Sequence, residues 1–212
     1  MELVNPLAEQ YAAAFTFAED ELLAEVAAFT NQTHQHAHML SGHVQGSFLT
    51  LLSSLLQPFK ILEIGTFTGY SALCLAKGLA KHGMLHTIEL RGDDAATADS
   101  FFKRSSKKDQ IVLHVGNAID MIPGLKEEWD IVFIDADKPG YISYYETVLP
   151  HVKKNGIIIA DNVLFHGQVL AENISGKNAL AMDAFNIHIK NDSRVEAAML
   201  TVRDGLMLIR KL

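Results

Sequence analysis

Two short runs hold the residues best equipped for chemistry. Ile131-Val132-Phe133-Ile134 leads into Asp135-Ala136-Asp137-Lys138, and Ile157-Ile158-Ile159-Ala160 leads into Asp161-Asn162. An apolar run that ends in acids reads as a buried strand whose carboxyl end opens onto a ligand, where open α/β sheets bind. Asp135, Asp161 and Asn162 offer only hard oxygen donors, a set suited to Mg²⁺, which keeps positions for water or substrate oxygens. Two acids and an amide match a structural zinc site poorly. A single acid at such a point would be read as a helix cap. Asp135, Asp137, Asp161 and Asn162 together, at adjacent strand ends, favour a cation.

A second constellation lies upstream. Glu63-Ile64-Gly65-Thr66-Phe67-Thr68-Gly69-Tyr70-Ser71 sits where a first strand turns into its helix. Glycines there let backbone approach a ligand closely. Dinucleotide-binding turns read G-x-G-x-x-G, but here Phe67 stands between Gly65 and Gly69. The middle glycine that admits a pyrophosphate is absent, as is the Gly-Lys-Ser/Thr end of a triphosphate loop. A nucleoside without a pyrophosphate fits better. Glu89 ends the next strand twenty residues beyond Gly69, where a carboxylate can accept ribose hydroxyls. Asn117-Ala118, after the third strand, is placed to contact a base. Each feature alone also reads as tight packing or a solvated strand end; their order along five βα units favours a ligand site.

These residues need a frame. From Lys60 onward, strand-like runs at Ile61–Ile64, Met84–Leu90, Ile111–Val115, Asp130–Ile134 and Gly156–Ala160 alternate with helical stretches. The stretches are Tyr70–Leu79, Asp93–Phe102, Ala118–Leu125 and Tyr141–His151. Near-continuous apolar strands separated by helices mean a parallel sheet covered on both faces. The tail changes pattern: Val195–Leu200 and Leu206–Arg210 flank Asp204-Gly205, a hairpin signal. Residues 1–57 read as a helical extension, with helices at Ala8–Phe17, Asp20–Phe29 and Ser47–Leu56. Thr30–Gly46, with four histidines and two glycines, reads as a surface segment. The expectation is one domain over 1–212, with a core over 58–212.

The 212 residues are 49% hydrophobic and 20% charged, which is globular composition. A net charge of −7 argues against nucleic acid as a partner. The basic group Lys103, Arg104, Lys107 and Lys108 reads as a solvated helix end. Cys74 is the only cysteine, so no intrachain disulfide forms. Neither a basic, apolar leader nor a run of ~20 apolar residues is present, so no membrane partner and a cytoplasmic setting are expected.

The chain resembles the cation-dependent class I O-methyltransferases, the family of catechol and caffeoyl-coenzyme A O-methyltransferases. The matching segments are EIGTFTGYSA (Glu63 to Ala72), FIDADKPGYISYY (Phe133 to Tyr145), ADNVLFHGQV (Ala160 to Val169) and VRDGLMLIRK (Val202 to Lys211). HMLSGHVQGSFL in the N-terminal segment extends the likeness, with Met39 to Gln45 matching loosely. The resemblance implies a Rossmann-like, doubly wound sheet of seven strands with an antiparallel C-terminal hairpin and helices on both faces. It implies S-adenosylmethionine as cofactor, surrounded by Glu63, Gly65, Thr66, Ser71, Glu89, Ala118, Asp135 and Asp137. Asp135, Asp161 and Asn162 match the ligands of a divalent cation, Mg²⁺ first and Ca²⁺ or Mn²⁺ as alternatives. Lys138 matches the general base, with Asp135 beside it as the second catalytic position. The implied reaction is methylation of a small phenol carrying adjacent hydroxyls, by a homodimer. Three alternatives stay open: a metal-independent methyltransferase, a nicotinamide-dependent oxidoreductase, and a non-catalytic adenosine-ligand module. His34, His36, His38 and His43 depart from the pattern; they read as polar loop residues, with a transition-metal site as the alternative. Pro139-Gly140 also departs from the plant members, so recognition of a coenzyme A thioester does not follow.

Overall fold

Apolar strands interleaved with helices produce seven strands in one mixed sheet in the computed structural model, which describes residues 3–212. Met1 and Glu2, where the expected absence of a leader begins, lie outside the described residues. Helices α1 (Pro6–Ala14), α2 (Glu21–Thr33) and α3 (His43–Leu56) precede β1 (Lys60–Ile64). Then come α4 (Tyr70–Ala76), β2 (Met84–Glu89), α5 (Gly92–Phe102), β3 (Ile111–Val115), α6 (Ala118–Leu125) and β4 (Trp129–Ile134). The chain continues through α7 (Tyr141–Val148), β5 (Val152–Asp161), α8 (Lys177–Lys190), β6 (Val195–Leu200) and β7 (Leu206–Lys211). Two compact units result: Gln10–Ala118, and Met1–Glu9 with Ile119–Leu212.

In Gln10–Ala118 the strands run parallel in the order β3-β2-β1, with Glu63 paired to Thr87 and Glu89 to Val115. Ile61, Leu62 and Leu85 are fully buried, as expected of a strand covered on both faces. Asp20 caps α2 by accepting from the Leu23 amide at 2.9 Å. Gly46 lets α3 lie against α4, since a Cβ there would sit 2.6 Å from the Tyr70 ring. The segment from Thr30 to Gly46, expected at the surface, is so only in part: Asn31, Gln32, Thr33, Gln35, His38 and Met39 are exposed, but its two ends are helical and other residues turn inward. α2 continues to Thr33 and α3 begins at His43, while Thr30, Leu40, Ser41 and Gln45 are buried. Thr30 illustrates why: its hydroxyl donates to the Val26 carbonyl at 2.7 Å and meets the Thr68 hydroxyl at 2.8 Å, so a polar side chain is satisfied inside. The basic group is a helix end, as expected, with Lys103 paired to Asp99 and Arg104 to Glu25.

In Ile119–Leu212 the order is β4-β5-β7-β6, with β4 parallel to β5 and the last two strands antiparallel. Leu200 pairs with Leu206, so residues 201–205 make the expected hairpin turn, with Gly205 at φ 86°. A Cβ on Gly205 would meet Leu164 Cγ at 2.6 Å. α8 is an element the patterning did not reveal. It buries Ala179, Met182, Phe185 and Ile189, but Leu180 and Ile187 on its outer side are about half exposed, which blurs the apolar stripe. Among the described residues, no helix is long and apolar enough to cross a membrane.

Candidate functional site

The glycine turn after β1 is shaped by three left-handed residues, Gly65 (φ 95°), Phe67 (φ 51°) and Gly69 (φ 92°). Two glycines adopt this backbone freely; Phe67 does so at a cost. Glu89 braces the turn from the end of β2. Its Oε2 accepts from the Thr66 amide at 3.1 Å and the Phe67 amide at 2.7 Å, while Oε1 accepts from the Arg91 amide at 2.9 Å. A carboxylate has about four acceptor directions, so three backbone donors leave room for a further hydroxyl. Behind the turn, Glu63 is fully buried and accepts from Ser71 at 2.6 Å and from Thr87 at 2.5 Å. The Thr87 hydroxyl also meets that of Thr66 at 2.5 Å. Glu63, Thr66 and Ser71 thus form one internal network that fixes the turn. Ala118 opens α6 and is nearly buried.

In the other unit, Asp135 follows β4, Asp161 ends β5, and Asn162 comes next with φ 58°. The Lys138 ammonium lies 2.7 Å from Asn162 Oδ1, 3.2 Å from Asp135 Oδ1 and 2.8 Å from the Tyr141 hydroxyl. Asp161 is 1% exposed and accepts from the Asn162 amide at 2.6 Å. Tyr141, fully buried, donates to the Asp161 carbonyl at 3.0 Å and so ties β5 to the lysine. Burial by itself would pull the Lys138 pKa down. Tyr141, Asp135 and Asp161 outweigh it and hold the amine above the usual lysine range. Burial pushes the Tyr141 hydroxyl up, against the pull of Lys138. With two carboxylates and one ammonium, the cluster carries a formal charge of about −1.

Asp137 stands apart: it is exposed, and its carboxylate accepts from the Tyr144 hydroxyl. The histidines do not converge. His34 binds Asp94 at 2.9 Å, and the His34–His36 and His36–His38 ring centroids are 5.8 and 6.0 Å apart. Among the described residues, Glu146, His188 and Asp192 come within metal-ligand reach of one another. Arg194 fills that cluster, 2.6 Å from both carboxylates, and holds Asp192 far below the usual carboxylate range. It is a structural ion pair between α8, α7 and the start of β6. Tyr141 and Thr87 are the residues sequence reasoning missed. Tyr141 had a signal, its i+3 spacing from Lys138; Thr87 shows only once β1 and β2 are in register.

The profile of the O-methyltransferase family matches residues 12–212. The chain is 39% identical over 160 residues to a catechol O-methyltransferase of Niastella koreensis, covering 74% of this chain and 72% of that protein. It is 34% identical over 198 residues to probable caffeoyl-CoA O-methyltransferase 1 of Dictyostelium discoideum, covering 91% and 86%. The O-methyltransferase from Bacillus cereus, solved in complex with SAH, superposes with a TM-score of 0.89 at 30% identity over 97% of each chain.

Proposed function

The chain belongs to the O-methyltransferase family, and from that premise we propose that it methylates a small vicinal-dihydroxy phenol using S-adenosylmethionine and a divalent cation. Family membership sets aside the oxidoreductase and the non-catalytic module. The observation that carries the cation is the Lys138 ammonium seated between Asp135 and Asn162: positive charge is already favoured among these oxygens, and the cluster retains about one negative charge. Hard donors of this kind fit Mg²⁺, with Ca²⁺ or Mn²⁺ as alternatives. Asp135, Asp161 and Asn162 would hold the ion, which would supply Lewis-acid polarisation of a substrate oxygen and would offset the carboxylate charge that favours ammonium at Lys138.

The chain's own residues then divide the work. Glu89 offers its remaining acceptor capacity to the ribose hydroxyls, while Gly65 lets the turn come close to the nucleoside. Glu63, Thr66 and Ser71 hold that turn still. Ala118, Asp135 and Asp137 complete the proposed cofactor set. Lys138 Nζ accepts the phenolic proton, with Tyr141 fixing the amine's direction and Asp135 beside it. Attack of the oxygen on the sulfonium methyl neutralises charge, so positioning, worth up to ~7–11 kcal/mol, is the main contribution.

A second reading, methylation without a metal, is favoured by the same contacts, because Lys138 already supplies a cation to Asp135 and Asn162. Methyl transfer to a catechol panel, with and without chelator, separates the two. The proposal extends to one working domain over 1–212, with 1–57 as extension and 58–212 as core. It also includes a homodimer and a cytoplasmic setting, which the lone, buried Cys74 suits.

A further inference from the structure

Phe67 adopts a left-handed backbone that bulky side chains avoid, at the position where dinucleotide turns place glycine. Its ring is held from two sides. His34, at the end of α2, meets it edge-on with centroids 4.5 Å apart at 88°, and the Arg91 guanidinium lies 5.7 Å from its centroid. Asp94 joins the two holders, 2.9 Å from His34 Nε2 and 2.7 Å from the Arg91 guanidinium, with its side chain only 8% exposed. His34 Nδ1 accepts the His36 amide at 3.0 Å, which places the ring proton on Nε2, aimed at Asp94. The circuit closes through Glu89, which accepts from the backbone amides of both Arg91 and Phe67.

We propose that His34, acting through Asp94 and Arg91, is a positioning residue for the cofactor turn, holding Phe67 and Glu89 in the shape that receives the adenosyl ligand. The inference rests on the proposed cofactor reading. It gives one of the four N-terminal histidines a role that is neither metal ligation nor solvation. A turn with Phe67 in place of glycine needs walls for its ring. His34 and Arg91 supply them, and the buried carboxylate between them sets their spacing. Preorganising Glu89 in this way lowers the ordering cost of binding.

Calorimetric titration of the full chain with S-adenosylhomocysteine tests this, alongside the melting temperature of the ligand-free protein. His34→Ala is expected to weaken binding about tenfold, the scale of one charge-assisted hydrogen bond with its ring contact. His34→Gln, whose amide nitrogen can reach Asp94, should recover part of that loss, and Asp94→Asn should weaken binding. Steady-state kinetics should show a raised KM for S-adenosylmethionine with kcat at saturation unchanged. If His34→Ala does not fold, the other two variants decide. Affinity within about twofold of wild type in the folded variants overturns the inference alone. So does an affinity loss that merely follows the melting temperature and is not relieved by glutamine. Wild-type protein that fails to bind S-adenosylhomocysteine sinks the cofactor reading, and this inference with it.

Discussion

Lys138 has no single fixed role; its neighbours decide it. Beside Tyr141, Asp135 and Asp161 it is held as ammonium, so a base function depends on offsetting their charge. Lys138→Ala should lower kcat by about 10²–10⁴-fold with little change in KM, because a proton acceptor matters mainly in the transition state. Raising the pH should recover part of that loss, since the phenol then ionises unaided; a flat pH response in the variant contradicts the assignment. Glu89 braces three backbone amides, and in the proposed cofactor site it would also accept the ribose hydroxyls. Glu89→Ala should cost roughly 1.5–3 kcal/mol of S-adenosylhomocysteine affinity, and Glu89→Gln less, as titration calorimetry would read. Asp135, Asp161, Asn162 and Lys138 were legible in the sequence because strand ends announce themselves. The structure brings Lys138 into contact with Asp135 and Asn162. Tyr141 and Thr87 were not, because the direction of a hydroxyl depends on register and helix turn. Asp137 stands with the other acids in the sequence and with the cofactor residues by resemblance; in the structure its carboxylate accepts from the Tyr144 hydroxyl.

Elements were legible in proportion to the clarity of their apolar period. All seven strands lie where short apolar runs stand, and the Asp204-Gly205 turn is in place. α8 escaped because exposed Leu180 and Ile187 dilute the stripe formed by Met182, Phe185 and Ile189. Part of the N-terminal segment escaped for the opposite reason: Thr30 and His34 look solvated in the sequence but are satisfied by partners distant in the chain, Thr68 and Asp94. The hairpin turn at Gly205 is the most exacting of these elements. Its amide meets the Val202 carbonyl at 2.9 Å, and its carbonyl accepts from the Val163 amide at 3.1 Å, just beyond Asn162. Gly205→Ala should destabilise the protein by at least about 1–2 kcal/mol, because a Cβ there meets both a positive φ and Leu164. The denaturation midpoint reads this directly; an unchanged midpoint would show that the turn relaxes at no cost.

At the scale of the whole molecule, the α/β class is legible because a parallel sheet imposes its strand-helix alternation on the sequence, whereas the family is legible only through the resemblance of segments such as EIGTFTGYSA and FIDADKPGYISYY. Assembly is not written in any motif. α1 buries no residue and exposes Leu7 and Tyr11; Phe15, one residue beyond its end, is exposed as well, its ring stacked on that of Tyr11 at 4.3 Å. Such a stripe at i, i+4 and i+8 suits a helix that meets a second copy. Light scattering at micromolar concentration should return twice the 23.3 kDa chain mass; a monomer mass counts against the homodimer. Asp135, Asp161 and Asn162 are proposed to hold a hard cation that selects paired hydroxyls. The most direct test is the rate of methyl transfer from S-adenosylmethionine to a catechol and to a matched lone phenol, before and after EDTA and on return of Mg²⁺. Turnover of the catechol alone, abolished by EDTA and restored by Mg²⁺, is the expected result. Full catechol methylation in chelator, or equal rates with the lone phenol, would contradict it.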